Sequence, residues 1–127
     1  FGGIGFTPMR AVLRITNLRV RTIIGVNAWE KETEQEVVIN ITASYDADKA
    51  VATDRIEETV DYKAMKRELM EVVKNSRFSL LESLVNHVLT VIMKNNRIAS
   101  ASVRIDKPGA LRFADSVSIE MSEERNV

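Results

Sequence analysis

The apolar residues of this chain change period twice, and that change restricts the fold more than any single motif does. From Val12 to Ile24, Val, Ile and Leu mix with Arg, Thr and Asn in the manner of a strand with one wet face. From Val37 to Tyr45 the alternation is cleaner: Val37, Ile39, Ile41, Ala43 and Tyr45 fall on one side, Val38, Asn40, Thr42 and Ser44 on the other. Helical spacing then takes over. Met65, Leu69, Val72 and Val73 share a face in a helix expected from Tyr62 to about Asn75, with Asp61 as its N-cap. Leu80, Leu81, Leu84, Val85, Val88, Leu89 and Ile92 form the stripe of a second helix, for which Ser79 and Glu82 offer a Ser-x-x-Glu capping box. Period two returns with Val103 and Ile105 before the break at Pro108 and Gly109, and again with Val117, Ile119 and Met121.

Between these segments, Gly25 ends the first strand, and the polar run Asn27 to Glu34 connects it to the second while carrying the only tryptophan, Trp29. The acidic stretch Asp46 to Glu58 reads as a loop with a short helical turn, and Asn95 and Asn96 close the second helix. The order strand, strand, helix, helix, strand, strand predicts an α+β fold: a four-stranded, mainly antiparallel sheet with both helices on one face. One sheet face and two edges are then left uncovered. Long edge strands are usually paired or shielded, so a homo-oligomer with sheets joined side by side is expected.

At 127 residues the chain suits a single domain. Residues 9–127 are expected to form it, with Phe1 to Pro8 an expression remnant ahead of a natural start at Met9. Eighteen basic and eighteen acidic side chains cancel, so no net field recruits nucleic acid or an anionic membrane. No cysteine is present, which rules out a disulfide framework and suits a reducing cytoplasm. A single histidine, His87, excludes most metal centres and nucleophilic triads; it flanks the apolar stripe and reads as structural. No apolar run approaches the ~18 residues that span a bilayer. No Gly-x-x-x-x-Gly-Lys loop or Gly-x-Gly-x-x-Gly turn points to nucleotide chemistry.

Four well-separated residues remain as candidates for acid/base work: Glu30, Tyr62, Glu82 and Lys107. Each has a plain alternative. Glu82 fits a helix cap, or a carboxylate accepting two parallel N–H bonds from a guanidine-like ligand edge. Lys107 beside a Pro-Gly turn is a solvated charge, or an amine that moves protons. Tyr62 is a packed aromatic, or a hydroxyl that polarises a substrate. Glu30 is a surface charge beside Trp29, or an acceptor for substrate hydroxyls. Arg19, Arg21, Arg77 and Arg112 are solvated charges, or contacts for phosphate.

Taken in order, Arg21-Thr-Ile-Ile-Gly-Val26, Trp29-Glu30, Thr59-Val-Asp-Tyr62, Arg77-Phe-Ser-Leu-Leu-Glu82 and Ile105-Asp-Lys-Pro-Gly-Ala110 resemble the dihydroneopterin aldolase family, over roughly Arg10 to Glu123. Asn40-Ile-Thr, Ala47-Asp-Lys-Ala50, Arg77-Phe-Ser-Leu-Leu-Glu82 and Ala110-Leu-Arg-Phe-Ala-Asp-Ser-Val-Ser118 look more like its dihydroneopterin triphosphate 2'-epimerase branch. Trp29-Glu30 and Lys107-Pro-Gly-Ala110 are equally reminiscent of the aldolase branch.

The resemblance implies the tunnelling fold, with sheets joined into a homo-octamer of two tetrameric rings and sites at subunit interfaces. It implies that Glu82 holds the 2-amino and ring N–H edge of a pterin, supported by the Leu81 backbone and the Val60 region. Glu30 contacts the trihydroxypropyl side chain, Lys107 shuttles protons, and Tyr62 reaches in from a neighbouring subunit. The implied chemistry is a retro-aldol cleavage needing no metal, Schiff base or cofactor. Re-addition after inversion makes an epimerase; release makes the aldolase of folate biosynthesis. A reading of a different class is a noncatalytic oligomeric pterin-binding module, in which Lys107→Ala costs no turnover because none exists.

Overall fold

The computed structural model describes residues 8–125; of the stretch read as a remnant, residues 1–7 lie outside the described residues. Strand β1 (Arg10–Ile24) pairs antiparallel with β2 (Gln35–Asp46), β2 with β4 (Ile98–Pro108), and β4 with β5 (Ser116–Glu124). Helices α1 (Asp48–Thr53), α2 (Tyr62–Lys74) and α3 (Leu81–Met93) follow β2, with the short strand β3 (Arg77–Phe78) between the last two.

The periodicity places the four long strands and both main helices correctly, but two elements amend the expected order. β3 pairs parallel with Ile23 and Ile24, so among the described residues the sheet has five strands in the order β3-β1-β2-β4-β5 and is mixed rather than antiparallel. Two residues are too few to show a period. The six-residue α1 lies where only a turn was expected, and Asp54 ends it in the left-handed conformation at φ 55°. Among the described residues there are thus three α-helices rather than two.

Helix α2 packs against β1, and α3 against β4 and β5. The core lies between helices and sheet, where Ile24, Ile39, Ile41, Leu69, Leu84, Ile92, Ile98 and Ile105 are fully buried. Register explains the shared face: Ile39 pairs with Ile105, Ile41 with Val103, and Ala43 with Ala101. Residues of opposite parity, including Thr42, Ser44, Ser100, Ser102 and Ser122, line a concavity of about 600 Å³ on the other face. β1 is irregular between Ile15 and Leu18, where Asn17 takes φ 54° and its backbone N–H donates to the Asn40 side chain at 2.9 Å. Among the described residues, no helix is long and apolar enough to cross a membrane.

Asp61 caps α2 as expected, accepting from the Lys63 and Ala64 backbone N–H groups at 3.1 Å each. The capping box expected at Ser79 is absent. Leu80 occupies the N-cap of α3 without a side-chain bond, and the Ser79 hydroxyl is instead taken by the Lys31 ammonium at 3.0 Å. A tertiary partner thus captures the hydroxyl that local pattern assigned to the helix.

Candidate active site

The turn after β1 builds the site. Gly25 leaves the strand at φ +140°, and its N–H donates to the Phe78 carbonyl at 3.1 Å, tying the end of β1 to β3. A single turn of 3-10 helix follows over Ala28–Lys31, with Asn27 at its N-cap. Its glutamate, Glu30, folds back: the Asn27 backbone N–H donates to Glu30 Oε1 at 3.2 Å and the Asn27 side-chain amide at 2.8 Å. The carboxylate therefore lies directly over Gly25, where a Cβ would overlap all three carboxyl atoms.

The bland reading of Glu30 as a surface charge fails, since only 4% of the residue is exposed. Lys107, near the end of β4, shares the helix-side parity of Val103 and Ile105 and donates its ammonium to Glu30 Oε2. Gln35, first residue of β2, donates to the same oxygen at 3.0 Å and to the Ile24 carbonyl at 2.9 Å. Burial alone pushes the Glu30 carboxyl up. The hydrogen bonds from Lys107, Gln35 and Asn27, with the charge of Lys107, outweigh it and lower the pKa from 4.5 to about 2. Glu30 is thus an anion at neutral pH, and its charge partner is the candidate proton carrier.

Lys31 links this turn to the start of α3 through Ser79, three residues before Glu82. Glu82 lies in the first turn of α3, exposed, and makes no hydrogen bond or ion pair with any described residue. Its carboxylate is open to a ligand, and Leu81 precedes it half-buried. His87, one helical turn on, packs edge-on against Phe78 at 5.3 Å, which is the structural role expected of it.

Tyr62 and Val60 are not part of this cluster within the protomer. The far end of α2 is pinned beside β1, where Thr22 Oγ1 donates to the Val73 carbonyl at 2.6 Å. Tyr62 opens the same helix, about 16 Å back along the axis at the usual rise per residue. Tyr62 is 57% exposed, whereas Val60 is buried in the core and leaves only backbone to offer.

The four arginines divide. Arg19 and Arg21 point to the face away from Glu30 and Lys107; Arg19 pairs with Glu36 at 3.5 Å, and Arg21 donates to the Glu34 carbonyl at 3.0 Å. Arg77 lies opposite Ile23 and shares that outer side. Arg112, in the β4–β5 connection, stands over the Phe113 ring at 5.7 Å. Sequence reading overlooked Gly25, Asn27 and Gln35 as supports of Glu30. The Asn-x-x-Glu spacing of residues 27 and 30 was the available sign, because it too is an N-cap pattern.

The arrangement is a buried carboxylate holding an amine, with the turn that carries it tied by Lys31 to the segment just before α3, whose first turn presents a carboxylate unpaired among the described residues. Known proteins resemble it along most of the chain. Dihydroneopterin triphosphate 2'-epimerase of Escherichia coli strain K12 is 43% identical over 115 residues, covering 91% of this chain and 96% of that protein. Dihydroneopterin aldolase of the same organism is 27% identical over 116 residues, covering 91% and 95%. The solved structure of the Escherichia coli aldolase in complex with neopterin superposes with a TM-score of 0.84 at 26% identity, over 89% of this chain and 98% of that one. A model of the family described as dihydroneopterin aldolase (FolB) matches residues 13–122. With that match spanning the turn of Glu30, the helix start of Glu82 and the strand end of Lys107, the chain belongs to the dihydroneopterin aldolase (FolB) family.

Proposed function

We propose that this protein is an enzyme of pterin metabolism that epimerises C2' of dihydroneopterin triphosphate to give dihydromonapterin triphosphate. The convergence of Glu30, in the turn after β1, and Lys107, near the end of β4, carries the reading, because it sets an amine in a sheltered position beside a fixed anion. The greater likeness to the epimerase than to the aldolase favours the branch. Cleavage of dihydroneopterin to 6-hydroxymethyl-7,8-dihydropterin and glycolaldehyde is the second reading, and it uses the same machinery.

Glu82 accepts the 2-amino and ring N–H edge of the pterin in a two-bond contact, at a helix start whose backbone amides face the ligand. Leu81 lends backbone support. Lys107, as the neutral amine, takes the 2'-hydroxyl proton and becomes the ammonium that Glu30 holds. As that proton leaves, the C1'–C2' bond breaks and its electron pair passes into the conjugated imine of the dihydropterin. The substrate supplies its own electron sink. Rotation of the retained aldehyde and re-addition inverts C2'; protonation of the enaminol and release completes the aldolase reaction.

Tyr62, with the Val60 backbone, completes the site from a neighbouring copy, since its own protomer holds it at the other end of α2. Side-by-side joining of sheets into an octamer of two rings, the tunnelling arrangement, supplies such a neighbour. Arg112, in the β4–β5 connection and without an ion pair among the described residues, is the better candidate for phosphate, since Arg19, Arg21 and Arg77 share the outer side. Residues 9–127 act as one domain, in the cytoplasm.

Incubation of the purified protein with dihydroneopterin and with its triphosphate, followed by separation of the monapterin epimer from hydroxymethyl-dihydropterin, tests the reading. Epimer from the triphosphate is expected. Rapid glycolaldehyde release without epimer would transfer the assignment to the aldolase branch, and no conversion of either compound would leave the binding module.

A further inference from the structure

A carboxylate offers about four lone-pair positions to donors. In Glu30 all four are taken: Oε1 by the backbone N–H and side-chain amide of Asn27, Oε2 by Gln35 and Lys107. A substrate hydroxyl cannot add to this set; it can only replace a member. Three members are fixed. The Asn27 donors belong to the same tight turn as Glu30, and the Gln35 amide is anchored a second time by the Ile24 carbonyl at 2.9 Å. Only Lys107 arrives on a long unbranched chain.

We propose that Gln35 is a positioning residue: its amide fixes the carboxylate oxygen to which the Lys107 ammonium is tethered, and thereby sets where the proton-carrying amine stands. Asn27 holds the other oxygen and fixes the tilt of the carboxylate. Gln35 itself never meets substrate. The inference rests on the reading of Lys107 as proton shuttle, because only then does the location of its nitrogen govern rate. The hydrogen bond from Gln35 also helps keep Glu30 anionic, which gives the tether a signature separate from turnover.

The test uses the full chain with Gln35→Met, close in shape but without a donor. Turnover of dihydroneopterin triphosphate and of dihydroneopterin is measured while the Glu30 carboxyl is titrated by 13C NMR. A fall in kcat of about 10- to 100-fold, with KM moving less than about twofold, is expected for a displaced proton carrier. The carboxyl should titrate at higher pH than in the parent protein. Unchanged kcat, or a rise in KM at constant kcat, overturns the proposal.

Gln35→Glu provides the second variant. It places an acceptor beside Oε2 when ionised and a donor when protonated, so its rate relative to the parent should recover as pH falls toward about 5. A ratio independent of pH overturns the tether even if Gln35→Met fails to fold. Should the parent protein convert neither pterin, the proposed function falls by itself. The carboxyl titration then decides the tether, and an unmoved Glu30 in Gln35→Met refutes it.

Discussion

Lys107 near the end of β4 and Glu30 in the turn after β1, 77 positions apart in the chain, form a part-buried ion pair. A pair in that setting costs desolvation, and breaking it by removing one member leaves an uncompensated charge.

Lys107→Ala should therefore act twice. Turnover is expected to fall by about 10²- to 10⁴-fold, the range for loss of a positioned acid or base, with pterin affinity largely retained. Stability should also fall, by less than the about 3–5 kcal/mol of a fully buried pair, because Glu30 loses its charge partner but keeps the Asn27 and Gln35 donors. Single-turnover kinetics with equilibrium binding separate the effects, and loss of affinity equal to the loss of rate would contradict the shuttle role.

Glu82→Ala is expected to behave in the opposite way. The side chain is exposed and makes no described contact, so thermal stability should move by less than about 0.5 kcal/mol. Pterin affinity should drop by roughly 1.5–3 kcal/mol, the scale of a hydrogen bond to a charged group. A marked loss of stability with affinity preserved would return Glu82 to an ordinary helix-start residue.

Acid stability should report Glu30. Its folded pKa of about 2 lies below the ordinary 4.5, so its contribution is complete above about pH 4.5 and is lost as pH falls toward 2. The interval corresponds to on the order of 3 kcal/mol. Urea unfolding between pH 2.5 and 6 should show the parent losing stability more steeply than Glu30→Gln, and parallel curves would exclude the depressed pKa.

The proposal that a neighbour's Tyr62 completes the site predicts complementation. Tyr62→Phe and Lys107→Ala, each impaired alone, should regain activity when unfolded together and reassembled. Random mixing of equal amounts restores about one site in four, because half the copies keep the lysine and half their neighbours the tyrosine. Absence of recovery in verified mixed oligomers would place both groups in one protomer.

The long elements were legible because a strict period over nine residues, as in Val37 to Tyr45, or a stripe such as Leu84, Val85, Val88, Leu89 and Ile92, leaves few alternatives. Arg77 and Phe78 were not, since parallel pairing to Ile23 and Ile24 exists only after the chain has folded. The Ser79 capping box failed for a related reason: Lys31, 48 positions away, takes the hydroxyl. Glu30, Glu82 and Lys107 could be named from the sequence, but their geometry could not. Gln35 sits at the start of a strand, where nothing local marks it as the second anchor of a distant lysine.

Gly25 places the tightest limit on variation at this locus. The acid that rests on it has already claimed the volume that any other amino acid needs, and the backbone angle there disfavours every other choice. A saturation library at codon 25 should accordingly return a single survivor under selection for pterin conversion, while the neighbouring codon for the exposed Val26 tolerates many.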